Sequence, residues 1–191
     1  MPDLPDLLSP LVGERPSLHF GVLLLVHVPA GLACVVTGAV AMLSRKRPGR
    51  HPRFGEVYFW GLAVVFASAT GMAMLRWHED AYLFYLGALS FGAGSIGYAA
   101  RKRRWPGWMT FHIAGLGLSY VVLLTAFYVD NGPRLPLWNR LPTMAFWLGP
   151  SIVGLPLLAR ALPRHTRVWA DLRAAAGSLL DRMAPPEEAH R

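Results

Sequence analysis

Long apolar runs separated by short charged or turn-forming segments dominate this sequence. The α-helix rises about 1.5 Å per residue, so a run of about 20 residues crosses the ~30 Å hydrocarbon core of a bilayer. Runs of this kind occupy residues 18–43, 55–75, 81–100, 107–129 and 141–162. The pattern therefore predicts an all-α, multi-pass membrane bundle of five transmembrane helices, with the lipid bilayer as its surroundings.

The segments between the runs predict both the loops and the orientation of the bundle. Residues 76–80 are charged, 101–106 are basic and end in proline, and 130–133 form a turn signal. Of the 19 Lys and Arg residues, 15 lie in 44–54, in 101–106 and from 160 onward, and four lie on the opposite side. The positive-inside rule then predicts an external N-terminus and a cytoplasmic C-terminus in a cell membrane.

The two ends of the chain are predicted to lie outside the bundle. Residues 1–17 contain three acidic residues and one arginine, which does not match a cleavable signal, and we expect an external N-terminal segment. Residues 163–191 are expected to form a cytoplasmic tail. Within it, residues 166–183 have an apolar stripe typical of an amphipathic helix on the membrane surface, although a soluble tail helix has the same pattern.

Composition and charge narrow the class of protein. The chain is 53% hydrophobic and 16% charged, with a net charge of +8. The basic residues sit between the apolar runs, which argues against a nucleic-acid partner. Cys34 is the single cysteine and lies within the first run, so no intrachain disulfide can form, and we interpret it as a small packing residue.

The third run is rich in small residues at four-residue spacing, including Gly87, Gly92, Gly94 and Gly97. Small residues allow close approach of helix backbones in membranes. We expect this helix to lie at the centre of the bundle or to form the contact face of a homo-oligomer or of another membrane protein.

Two histidines, His27 and His112, lie within predicted spans. An imidazole in hydrocarbon must find a partner or face a cavity, so these are candidate ligands of haem b or of a divalent metal. Each shares a helix face with small residues and should point into the bundle. Their depths differ, however, so a shared cofactor would have to stand tilted across the bundle.

Polar clusters are predicted on both sides of the membrane. The inner cluster comprises His51, Arg53, Glu56 and Tyr58. Together with His112 it forms a candidate site; alternatively, an ion pair between Arg53 and Glu56 fixes a helix end. The outer cluster comprises His19, His78 and Asp130. It offers ligands for a divalent metal or is a solvated loop, and it lacks a ligand spacing such as His-x-x-x-His.

These motifs carry a resemblance to a family of bacterial membrane proteins, domain of unknown function 2306. It rests on a first-helix histidine followed by glycines, on a basic loop leading into a tyrosine and on a fourth-helix histidine (His27, Gly31, Gly38; His51, Arg53, Gly55, Tyr58; His112). The family has histidine and arginine adjacent, whereas Pro52 separates them here. The resemblance implies a multi-pass protein, in the bacterial inner membrane, with no assigned activity.

Three functions are consistent with the sequence. The first is a haem- or metal-binding membrane protein that uses the intramembrane histidines. The second is a small transporter or channel, suggested by the glycine-rich third run and by Pro150 and Pro156 in the fifth. The third is a non-catalytic scaffold or sensor in which the histidines only hydrogen-bond between helices. No pattern indicates a substrate or decides whether the chain is an enzyme.

Overall fold

The computed structural model describes residues 18–45, 49–136 and 138–165. The predicted external segment 1–17 and the predicted amphipathic helix 166–183 lie outside the described residues. Within those ranges the chain is all-α, and five helices are long and apolar enough to cross a membrane, which confirms the predicted fold class. They are α1 (Leu18–Leu43), α2 (Arg50–Leu75), α3 (Trp77–Arg103), α4 (Trp108–Asn131) and α5 (Thr143–His165).

Helix α2 begins five residues before its apolar run. Gly49 precedes it with a φ of 122°, a conformation that favours glycine, and thereby turns the chain into the helix. Pro52 lies in the first turn, where the backbone N–H groups have no partner within the helix and proline is tolerated. The polar segment that contains His51 and Arg53 is therefore helical, and this fixes the directions of its side chains.

Helix α3 extends beyond its apolar run at both ends. Glu79 and Asp80 lie in its first turn and three basic residues lie in its last, which complements the helix macrodipole. Arg76, which forms an ion pair with Glu79, is the one residue between α2 and α3. The charged segment 76–80 is thus helical from Trp77 onward instead of forming a loop.

Each helix packs against the next one along the chain, and α4 also returns to α1. The hydroxyl of Tyr120 on α4 donates a hydrogen bond of 2.9 Å to the carbonyl of Val35 on α1. Helix α5 lies mainly along α4, and its Trp147 also meets Tyr82 of α3. Helices α1 to α4 therefore form the central unit of the bundle, with α5 at its edge.

The core of the bundle lies between α1, α2 and α4. Cys34 is fully buried there, as its interpretation as a packing residue requires, and Leu62 is 1% exposed. Large apolar side chains such as Leu32 on α1 and Ile152 on α5 are 65% and 68% exposed. In water such an apolar surface would be costly, whereas hydrocarbon solvates it.

Helices α3 and α4 approach closely where two glycines face each other. A Cβ atom on Gly115 would lie 2.6 Å from the carbonyl oxygen of Ala93 and 2.7 Å from the backbone nitrogen of Gly97. Gly94, one turn away, faces Leu62 and Ser119. The part of the small-residue face of α3 around Gly94 and Gly97 is therefore covered by other helices of the same chain, whereas Gly92 is exposed.

A short chain of hydrogen bonds joins three helices inside the bundle. The hydroxyls of Tyr58 on α2 and Ser119 on α4 are 2.8 Å apart, and the Ser90 hydroxyl of α3 donates to the Ser119 carbonyl at 2.8 Å. All three residues are at most 3% exposed. A polar group without a hydrogen-bond partner is destabilising in hydrocarbon. The network therefore fixes the relative positions of the three helices.

Candidate functional site

The basic residues gather at one end of the bundle, which we call the basic end. It contains the α1–α2 and α3–α4 connections and the following cations: Arg45, Arg50, Arg53, Arg101, Lys102, Arg103 and Arg104. The α3–α4 connection is a tight turn, with Arg104 at φ 51° and Gly107 at φ 68°. It brings the end of α3 and the beginning of α4 together, and His112 lies one turn into α4.

His51 is held against the end of α1. Its Nδ1 atom is 2.8 Å from the carbonyl oxygen of Ala41. Because a carbonyl oxygen can only accept a hydrogen bond, Nδ1 carries the proton in this contact. The second nitrogen of a neutral ring, Nε2, then carries the lone pair that binds metals.

His112 is held in the same way against α3. Its Nδ1 atom is 3.1 Å from the carbonyl oxygen of Gly97, and the indole ring of Trp108 lies 6.1 Å away between ring centroids. Gly97 lets the imidazole reach the α3 backbone because it has no side chain and packs directly on α4. The close contact between the two helices thus also positions the histidine.

The imidazoles of His51 on α2 and His112 on α4 lie close together in an edge contact. The ring centroids of His51 and His112 are 6.3 Å apart, and the ring planes are nearly perpendicular, at 87°. Both rings are half-buried. The sequence predicted that both histidines lie on the same side of the bilayer; the structure brings them into one pair.

The other members of the inner cluster separate from this pair. The Glu56 carboxylate accepts hydrogen bonds from Lys102 Nζ at 3.1 Å and from the Tyr98 hydroxyl at 3.0 Å, both on α3. The ion pair of Glu56 is thus with Lys102 and not with Arg53, which is exposed. Tyr58 is directed into the core, where it joins the hydrogen-bond network, and does not contribute to the histidine pair.

His27 lies away from the basic end, about nine residues into α1. Its Nδ1 atom is 2.9 Å from the hydroxyl of Ser68 on α2, and this hydroxyl also donates to the Val64 carbonyl at 2.8 Å. The structure therefore gives His27 and His112 different partners on different helices. A cofactor shared by these two residues stays a prediction.

The predicted outer cluster lies at the opposite end of the bundle. His19 and His78 are exposed near the starts of α1 and α3, and Asp130 is exposed near the end of α4. Among the residues that the structure describes, no group of three or more His, Cys, Asp or Glu side chains is arranged to hold a metal ion. The arrangement at this end is that of a polar helix boundary.

Sequence reasoning missed the partners of the histidines. The carbonyls of Ala41 and Gly97 carry no sequence signal except that both residues are small and leave the backbone accessible. Lys102 was counted only as one of several cations that orient the bundle. Its pairing with Glu56 depends on how α2 and α3 are aligned along their axes, which no local pattern determines.

No protein-family model matches the chain, and neither does any curated protein or solved structure. The resemblance to domain of unknown function 2306 stays a prediction.

Proposed function

We propose that this chain is a membrane haem protein in which His51 and His112 are the two axial ligands of the iron and whose chemistry is electron transfer. The observation that carries the proposal is the pair of imidazoles at the basic end, with ring centroids 6.3 Å apart. His112 lies within a predicted span, where a histidine is a candidate functional residue because an imidazole is costly to place in hydrocarbon.

The hydrogen bonds of the pair support metal binding. Histidines that bind metals usually donate the N–H of their second nitrogen to a carbonyl or a carboxylate, which orients the ring. His51 and His112 both have Nδ1 against a backbone carbonyl, at 2.8 Å and 3.1 Å. In the proposed site, Nε2 of each ring would therefore be the atom that binds the metal.

The distance between the rings favours haem over a single metal ion. With a metal–nitrogen bond of about 2.1 Å, the centroid of a ligating imidazole lies about 3.2 Å from the metal. Two such centroids are about 6.4 Å apart on opposite sides of a metal and about 5.2 Å apart at a tetrahedral angle. The observed 6.3 Å is closer to the value for opposite sides, which supports a pair of histidines that would hold a haem iron between them.

The number of protein ligands also favours haem over a zinc ion. A zinc site takes three or four protein ligands, and the described part of the chain holds no such group. Haem iron receives four nitrogens from the porphyrin and needs only the two axial ligands from the protein. With a histidine on each side, the iron would have no open position for a substrate, and the haem would supply electron transfer.

The charge of the basic end suits the haem propionates. Arg50 lies in the first turn of α2 and Arg101 in the last turn of α3, both at this end. Guanidinium groups bind carboxylates through paired hydrogen bonds. Arginines of the basic end would therefore be available to hold the propionates of a haem bound by His51 and His112.

The test is an absorption spectrum of the detergent-purified chain, expressed with haem supply and compared across histidine variants. We expect a Soret band in the unaltered protein and its loss or marked weakening in His51→Ala and His112→Ala. His78→Ala, an exposed histidine at the opposite end, is the matched control and should leave the band unchanged. A folded but colourless protein, or equal loss in all three variants, would refute the proposal.

A second function, a non-catalytic membrane scaffold, is favoured by a separate observation. His27 and His112 each hydrogen-bond to a neighbouring helix, which alone accounts for an imidazole inside a bundle. Such bonds contribute roughly 1 kcal/mol each in membranes. A colourless preparation, in which His27→Ala and His112→Ala unfold more readily than the unaltered protein, would support this function instead.

A further inference from the structure

A groove on the lipid-facing side of α1 and α2 starts at the basic end, away from the histidine pair. It is about 560 Å³ in volume and lies open along the surface of the two helices. Along α2 its residues follow one helical stripe, with three- and four-residue steps. Arg53 and Glu56 lie at its polar end, Trp60 and Val64 form its apolar wall, and Gly61 and Ala33 form its floor.

The length of this stripe corresponds to one leaflet of a bilayer. Arg53 and Val64 are eleven residues apart, or about 16 Å along the helix axis. Half of the hydrocarbon core is about 15 Å thick. A molecule lying in the groove would thus have one end among the lipid headgroups and the other near the middle of the membrane.

The walls of the groove are apolar and open toward lipid. Trp60 is 60% exposed and Val64 is 43% exposed. The floor is low because Gly61 has no side chain and packs against the Cys34 sulfur of α1. This shape suits a flexible hydrocarbon chain, which packs against side chains without needing polar partners.

The polar end carries a net positive charge. The Glu56 carboxylate is engaged by Lys102 and by the Tyr98 hydroxyl, so its charge is balanced from α3. Within the described ranges the Arg53 guanidinium takes part in no ion pair, and it is exposed at the mouth of the groove. A guanidinium in this position is suited to a phosphate group, which it binds through two parallel hydrogen bonds.

We propose that the groove is a specific site for one anionic phospholipid, with the phosphate on Arg53 and an acyl chain along Trp60 and Val64 over Ala33. The surrounding cations of the basic end favour an anionic headgroup over a zwitterionic one. The lipid site is separate from the histidine pair, so a negative result for haem binding would leave this proposal unaffected.

The experiment is native mass spectrometry of the full chain in detergent, titrated with phosphatidylglycerol or with phosphatidylcholine. We expect one phosphatidylglycerol to bind at lower concentration than phosphatidylcholine. One cation near the membrane surface contributes about fivefold in affinity, so Arg53→Gln should weaken phosphatidylglycerol binding by about that factor. Ala33→Trp, which fills the exposed floor, should weaken the binding of both lipids.

Arg103→Gln is the matched control, since Arg103 is also exposed at the basic end but lies on α3 outside the groove. It should change the affinity less than twofold, and inorganic phosphate, which has no acyl chain, should not displace the bound lipid. Equal weakening by Arg53→Gln and Arg103→Gln would mean that the attraction is diffuse and would overturn the proposal. Unchanged lipid binding in Ala33→Trp would also overturn it.

Discussion

The close contact between α3 and α4 predicts a large difference between two glycine-to-alanine substitutions. In Gly115→Ala, the new Cβ would lie 2.6 Å from the Ala93 carbonyl oxygen and 2.7 Å from the Gly97 nitrogen. Non-bonded heavy atoms pack favourably at about 3.5 Å or more, so the helices must separate locally by roughly 0.9 Å. The contacting atoms belong to the backbone and cannot move away as a side chain can.

The cost follows from this displacement. Overpacking of a tightly packed interior costs about 1–3 kcal/mol. The separation also lengthens the bond from His112 Nδ1 to the Gly97 carbonyl, now 3.1 Å, and its loss adds about 0.6–1 kcal/mol. We therefore expect the free energy of unfolding of Gly115→Ala to fall by about 2–4 kcal/mol relative to a control alanine substitution.

Gly92→Ala is that control, because a Cβ atom there would meet no heavy atom within 4 Å and the residue is exposed on α3. Both variants gain the same intrinsic helix propensity, so their difference isolates packing. The measurement is equilibrium unfolding in mixed micelles, with a denaturing detergent as the variable and helicity as the signal. A difference below about 0.5 kcal/mol would refute the reasoning, since overpacking should exceed that value.

Two further predictions concern hydrogen bonds between helices and use the same unfolding measurement. Tyr58→Phe removes a buried hydroxyl from the core network and should lower the free energy of unfolding by about 1 kcal/mol. Tyr85→Phe, at a residue that is 63% exposed, should leave the free energy of unfolding unchanged. Equal effects of the two substitutions would mean that the network contributes nothing to stability. Ser68→Ala removes the hydrogen-bond partner of His27. It should lower the free energy of unfolding by about 1 kcal/mol more than Ser95→Ala on the neighbouring helix does. A smaller decrease for Ser68→Ala than for Ser95→Ala would contradict the assigned hydrogen bond.

The helices were predictable because the bilayer thickness converts directly into a number of apolar residues. Their ends were less so, and residues 76–80 show why. Charged side chains are solvated equally well in a loop or in a helical turn at the membrane boundary, so hydropathy does not distinguish the two states. The acidic first turn of α3, which stabilises the helix through its dipole, decides in favour of the helix.

The position of the candidate site at one end of the bundle was predictable from the sequence, whereas its contacts were not. Charge and run length placed His51 and His112 at the same end. Their approach to 6.3 Å depends on the rotation and alignment of α2 and α4, which are set by packing across the bundle. Tyr58, which the sequence grouped with His51, lies two helical turns further along α2 and is directed into the core.

The arrangement of neighbours in the bundle bears on how the protein is assembled during synthesis. Each helix packs on the one made just before it, so α2 and α3 can dock in the order in which they enter the membrane. The arrival of α4 then closes the unit, since it carries Ser119, Tyr120 and His112, the residues that reach α2, α1 and α3. Helix α5 is added at the edge of a unit that is already complete. The first four helices can therefore pack against one another while α5 is being synthesised.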